Sequence, residues 1–271
     1  MNRKSKTLVI TVLTATILLL IPIIGMMLPS SALEADFSAK NFAPSLKHLF
    51  GTDWMGRDML ARTLKGLAIS ILIGTLSATV SAVMAAIIGI LAGTMPKWVD
   101  NIIVWCIDLV MGIPHLVLLI LISFVMGRGL KGLMVGIAVT HWPTLARLIR
   151  GEVLEIHNEQ YIKLSKQLGK SNLYIMKKHI LPHIAPQFIV GLILLFPHAI
   201  LHEAAITFLG FGLSPEQPAV GIILSESMKY LSSGMWWLAF FPGAMLVGIV
   251  LLFDKLGEHI KRIIDPYSSQ E

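Results

Sequence analysis

Six apolar runs decide what this chain can fold into: 7–28, 66–94, 99–126, 130–150, 187–212 and 235–257. A hydrocarbon core about 30 Å thick is crossed by about 20 helical residues, and each run reaches that length. The expected fold is therefore an all-α polytopic membrane protein with six transmembrane helices. Charge supports this. Only 14% of the 271 residues are charged, against about a quarter in ordinary soluble domains.

Sidedness follows from the cations. Arg3, Lys4 and Lys6 precede the first run, and its length favours a retained helix over a cleaved signal peptide, whose apolar core is usually about 7–15 residues. Lys97 follows the second run, and Lys255, Lys261 and Arg262 close the sixth. Cations that stay on the cytoplasmic side put both termini there. The loop 31–65 carries Lys40, Lys47, Arg57, Arg62 and Lys65, partly offset by Glu34, Asp36, Asp53 and Asp58. The net charge of +6 is thus explained by topology, and no nucleic-acid partner is expected. Cys106 is the one cysteine, so neither an intrachain disulfide nor a thiolate zinc site is available.

Small residues recur along the second run at Gly66, Ser70, Gly74, Ala78, Ala82 and Ala86, then Gly89 and Gly93. A spacing of four keeps them on one helix face and predicts a close helix–helix interface. Pro114, His115, Pro143 and Pro197 are expected to interrupt later spans, where a pathway or a neighbouring helix satisfies the backbone.

Residues 147–182 are polar and hold seven cations: Arg147, Arg150, Lys163, Lys166, Lys170, Lys177 and Lys178. Within them Tyr161, Leu164, Ser165 and Leu168 share one face of a short helix, with Lys163, Lys166 and Gln167 mostly opposite. Gly169 supplies the positive φ that ends it, and Ser171 is placed to cap a second short helix running to about His179. Such a helix either lies on lipid or docks in the groove of a partner protein.

The spacing resembles the EAA motif of ABC importer permeases, E-A-A-x3-G followed nine residues later by I-x-L-P. Gly169 and Leu181-Pro182 match it, while Lys163-Leu164-Ser165 and His179 depart from it. Residues 51–58 (GTDWMGRD) resemble the G-T-D-x-x-G-R-D signature of the second permease subunit of dipeptide, oligopeptide and nickel importers. Asp108 with Pro114 resembles that branch's D-x5-P, and residues 203–213 resemble its E-A-x-L-S-F-L-G-L-G run. The resemblance implies a type I ABC importer permease fold in a bacterial cytoplasmic membrane. The N-terminal unit would be 1–65, and a five-helix core, 66–271, would carry a coupling loop at about 151–186. It implies a second homologous permease, two ATP-binding subunits, an extracytoplasmic substrate-binding protein and surrounding lipid as partners. Tyr161, Leu164, Ser165, Leu168, Gly169, Leu181 and Pro182 would engage the ATPases. Segments 31–65 and 214–234 would meet the binding protein, with Ile222, Ile223, Met228 and Leu231 of the latter dipping against the bundle.

No cofactor is expected in this chain, and ATP and Mg belong to the partner subunits: there is no G-x4-G-K-[ST] loop to cradle phosphates. His202-Glu203-Ala204-Ala205-Ile206 begins like the zinc-protease H-E-x-x-H but lacks its second histidine. An intramembrane metal enzyme and an ion-driven transporter using Asp108 and Glu203 remain as rivals. His198 and His202, four apart, share a helix face. They satisfy neighbouring helices, line a pathway, or touch a metal in transit, since imidazole suits nickel, copper and zinc. The nickel-type subunits resemble this chain in an H-x3-H there, and Thr140-His141-Trp142 resembles their S-H-W. That resemblance implies nickel or a metal–metallophore complex as cargo, with a di- or oligopeptide as the alternative. The pathway residues expected are Asp108, His141, His198, His202 and Glu203.

Overall fold

The computed structural model describes residues 3–264, with the side chains of 3–6 outside the description; Arg3, Lys4 and Lys6 therefore fall outside it as charged groups. Among the described residues ten α-helices follow one another: α1 (Arg3–Met27), α2 (Met59–Thr94), α3 (Lys97–Gly112), α4 (His115–Val125), α5 (Leu130–His157), α6 (Gln160–Gln167), α7 (Asn172–Ile175), α8 (Leu181–Phe208), α9 (Val220–Leu231) and α10 (Trp237–Ile264). α1, α2, α5, α8 and α10 are long and apolar enough to cross a membrane, and α3 with α4 forms a sixth such unit bent by 97°.

The bend divides the run 99–126 at Pro114 and His115, where an interruption was expected. Proline disfavours helical backbone in the residue before it, and Ile113 is extended at φ −93°, ψ 135°. The chain leaves the α3 axis there and restarts at His115. Pro143 and Pro197, expected to interrupt their spans too, lie inside unbroken helices. A helix-interior proline costs roughly 3 kcal/mol. Both prolines are buried, so surrounding packing holds those helices together, whereas Pro114 is exposed. The other edges also move. α2 begins at Met59 and not at 66, because Asp58 caps it, accepting from the amides of Leu60 and Ala61 at 2.9 and 3.0 Å. The boundary expected at 65/66 consequently falls inside a helix. α5 continues to His157 and α8 starts at Leu181, which shortens the connecting loop from 151–186 to 158–180.

α2 is the central post, packed along α5 and also against α1 and α8. Its ladder explains the closeness: Gly66, Ser70, Gly74, Ala78, Ala82, Gly89 and Gly93 are all buried. A Cβ on Gly89 would meet the Ala146 carbonyl oxygen at 2.7 Å, and one on Gly74 would meet the Ile200 Cα at 3.0 Å. Gly74→Val is expected to lower stability by about 1–3 kcal/mol through overpacking. Gly248→Ala on α10, where nothing lies within 4 Å of the added atom, serves as the neutral comparison. Thermal unfolding midpoints of the two purified variants check this, and equal midpoints would refute the close-packing account.

The bundle has two ends. At one, α6, α7 and a π-helical turn, Met176–Ile180, form the loop between α5 and α8. At the other, residues 30–58 and α9 form a cap.

Candidate functional site

Three regions gather clustered polar or exposed apolar side chains. The first is a cavity of about 710 Å³ bounded by the α3–α4 elbow, α5 and α8. Its apolar wall includes Val110, Ile113 and Leu195, and its polar groups are Thr140, Thr144 and four histidines, His115, His141, His198 and His202. Gly112, Pro114, Thr144 and His198 are exposed, so this chain leaves one side of the cavity open.

His115, His141 and His202 come together: one ring nitrogen from each lies within 4.8 Å of the others. Their ring centroids are 4.4 to 5.0 Å apart. Each arrives from a different helix. Pro114 restarts the chain so that His115 opens α4 at the cavity wall, and α5 and α8 contribute the other two. His141 Nδ1 lies 2.9 Å from the Ile137 carbonyl oxygen, and His202 Nδ1 lies 2.7 Å from that of His198. Carbonyls only accept, so in the neutral rings both Nδ1 atoms carry the proton and both Nε2 atoms keep their lone pairs. His202 Nδ1 also approaches His141 Nε2 at 3.2 Å. His115 Nε2 is buried with no hydrogen-bond partner among the described residues.

The expected set of pathway residues is rearranged. His198 and His202 both line the cavity, and of the two His202 belongs to the three-histidine cluster. Glu203 is fully buried and does not line the cavity; Thr207 Oγ1 donates to its carboxylate at 3.0 Å. Asp108 pairs with Arg147 at 2.5 Å on an exposed surface outside the lining. His115 was legible in the sequence only as a neighbour of a helix break. The signal for it was an imidazole directly after the proline that stops an apolar run.

The second region is the loop end. Tyr161 and Leu164 of α6 and its C-cap Leu168 are exposed, Leu168 at 69%, and Leu173 and Leu181 are exposed as well. Ser165 is half-buried and donates back to the Tyr161 carbonyl at 2.8 Å. What ties α6 down is a residue the amphipathic pattern had left out: Ile162 is fully buried among Ile149, Val153 and Ile156 of α5 and Ile175 and Ile180 of the loop. Burying such a side chain stabilises by about 1.5–3 kcal/mol. Gly169 adopts φ +74°, and Ser171 caps α7 through the Tyr174 amide at 3.2 Å. The helix that follows does not stop near His179 as expected. A π turn, Met176–Ile180, carries it past Pro182 into α8.

The third region is the cap. Residues 51–58 fold into a tight structure around Asp53, which is fully buried. Its carboxylate accepts from the amides of Met55 (2.8 Å) and Arg57 (3.0 Å), from Arg57 Nε (2.7 Å) and from Arg62 Nη1 (3.1 Å). Arg62 continues to Glu226 of α9, and Trp54 stacks on Tyr230 of α9 at 4.8 Å. The motif therefore clamps α9 onto the bundle. Ile222 and Ile223 are buried beneath α9 as expected, whereas Met228 and Leu231 are exposed.

Residues 85–266 match the family described as "binding-protein-dependent transport system inner membrane component". The dipeptide transport system permease protein DppC of Bacillus subtilis is 33% identical, over 88% of this chain and 74% of that protein. DppC of Alkalihalophilus pseudofirmus is 32% identical over 97% of this chain and 87% of its own length. The oligopeptide permease OppC of B. subtilis is 30% identical over 85% of this chain and 77% of its own. Among solved structures, the inward-facing MetNI methionine ABC transporter superposes with a TM-score of 0.64 at 18% identity, covering 76% of this chain and 98% of that chain. That likeness shows the fold, that of a type I ABC importer permease.

Proposed function

Because the chain belongs to the family of inner membrane components of binding-protein-dependent transport systems, we propose that it forms one side of the passage of an ATP-driven importer of short peptides. It is a translocation subunit, and ATP is hydrolysed by other subunits. The observation that carries the reading is the outward apolar face of the loop end: Tyr161, Leu164, Leu168 and Leu173 stand exposed on a helical element whose other side is locked into the bundle by Ile162, Ile175 and Ile180. A rigidly anchored element with an uncovered apolar face is suited to receive force from a partner, by insertion into a groove. Two ATP-binding subunits are the partners proposed for this face, one loop from each of two permeases. The cavity, open on one side, calls for a second homologous permease to close it against lipid. The cap with α9 would meet an extracytoplasmic binding protein, and the loop end would be cytoplasmic together with both termini.

Peptide cargo is supported by the dipeptide and oligopeptide permeases among the relatives. Nickel or a metal chelate is the second reading, supported by the three clustered imidazoles. The docking proposal is tested by crosslinking. With Cys106→Ser to remove the native thiol, Leu164→Cys is expected to crosslink to a cysteine in the groove of the ATP-binding subunit, with a yield that changes when ATP is added. A complex that assembles yet never crosslinks there would sink the docking claim. Uptake of a labelled dipeptide and of Ni²⁺ by the same vesicles separates the two cargo readings.

A further inference from the structure

We propose that His115, His141 and His202 form a binding site for a divalent transition-metal ion inside the cavity between the α3–α4 elbow, α5 and α8. The inference deepens the second cargo reading and rests on the cavity being part of the passage.

Four observations converge. One nitrogen from each of three imidazoles lies within 4.8 Å of the others. Two of the rings hold their Nδ1 protons against main-chain carbonyls one helical turn back, at 2.9 and 2.7 Å. In both rings this leaves Nε2 as the nitrogen without a proton, the form in which a histidine can ligate while its other N–H is fixed to a backbone oxygen; His141 Nε2 lies 3.2 Å from His202 Nδ1. The third ring, His115, has a buried Nε2 that no group among the described residues satisfies. A buried polar atom without a partner is costly unless something occupies the position. Finally, the cluster opens into a cavity of about 710 Å³, large enough to admit an ion that still carries water or a small chelator.

The donor set selects the ion. Three neutral nitrogens suit nickel, cobalt, copper and zinc, whereas magnesium and calcium require oxygen ligands. Glu203, the nearest carboxylate in sequence, does not line the cavity, so no carboxylate converts the site to a hard one. Metal–nitrogen bonds of about 2.0–2.1 Å place ligand nitrogens roughly 3 Å apart, so the rings must draw inward. His115 can do so, because no hydrogen bond among the described residues holds its ring. Three protein ligands leave further positions open to water or to donor atoms of a chelator. A site with one unanchored ligand releases its ion readily, as a site on a route must.

The test uses the whole complex, co-purified with its partner subunits without a histidine tag and stripped with EDTA. Equilibrium dialysis against Ni²⁺ or Co²⁺, with Mg²⁺ as comparison, measures bound metal, and the visible absorption of Co²⁺ reports nitrogen ligation. One Ni²⁺ or Co²⁺ and no Mg²⁺ is expected at this site. His115→Ala, His141→Ala and His202→Ala should each weaken binding on the order of tenfold or more, since even outer-shell changes cost that much. His259→Ala on α10 should leave binding unchanged. The Co²⁺ spectrum of the parent complex stands alone if a variant fails to assemble. Absence of bound Ni²⁺ and Co²⁺ in the parent, a Co²⁺ spectrum without nitrogen ligation, or binding that survives all three alanine variants would overturn the proposal. A complex that imports a dipeptide with ATP but binds neither ion would refute this site and leave the importer reading standing. One that binds the ion but never couples to ATP would do the reverse.

Discussion

Gly169→Val is expected to abolish most ATP-driven uptake while the subunit still inserts and assembles. Gly169 sits at φ +74° between α6 and α7, a region that β-branched residues avoid at a cost of order 1–3 kcal/mol. No atom lies within 4 Å of where its Cβ would be, so the substitution meets no steric block and acts through the backbone alone. The strain is relieved by unwinding the end of α6 or re-aiming α7, and either change moves Leu168 and Leu173 relative to Leu164. The anchors Ile162, Ile175 and Ile180 remain buried, which is why assembly survives. The measurements are substrate uptake in proteoliposomes, substrate-stimulated ATP hydrolysis, and the yield of co-purified ATP-binding subunits. Uptake should fall at least tenfold with subunit yield within about twofold of the parent; a tenfold change corresponds to about 1.4 kcal/mol. Gly169→Asn, which tolerates positive φ better, should retain an intermediate activity. Normal uptake in Gly169→Val would remove the mechanical role proposed for this bend.

The second large effect is expected at the opposite end. Asp53→Ala removes a fully buried carboxylate that holds two backbone amides and two guanidinium groups. Arg62, itself almost completely buried, is left with Glu226 as its carboxylate partner among the described residues. Breaking a buried charge pair by deleting one member costs about 3–5 kcal/mol, because the remaining charge stays desolvated. The loss should appear as a clear drop in the unfolding midpoint of the purified complex and as increased proteolysis of α9, whose hold on the bundle passes through Arg62 and Trp54. Glu226→Gln, at the partly exposed end of the network, should cost far less. An unchanged midpoint for Asp53→Ala would mean that residues 51–58 are not the clamp described.

The cap also illustrates what a motif can conceal. Residues 51–58 were recognisable as a signature in the sequence, but nothing in their order showed that Asp53 would be fully buried or that Arg62 would reach Glu226, 164 residues further on. The loop end shows the converse. Its apolar face was readable from helical spacing, and so was the turn at Gly169. The anchor Ile162 was not, because a short helix with apolar residues on two sides does not reveal which side meets the bundle until α5 is in place.

By itself the sequence determined the number of apolar segments, the small-residue face of α2 and the position of the loop between α5 and α8. These are local properties: hydrophobic length, a period of four, and a glycine or proline at a turn act over a few residues. Tertiary structure alone decided which prolines break a helix. Of Pro114, Pro143 and Pro197, Pro114 is the exposed one and the one at which a helix ends. Tertiary structure also decided which histidines meet. His141 and His202 are 61 residues apart, and His115 joins them because the elbow at Ile113 turns α4 toward the cavity. Such a meeting depends on how helices cross in space, which no spacing along one helix encodes.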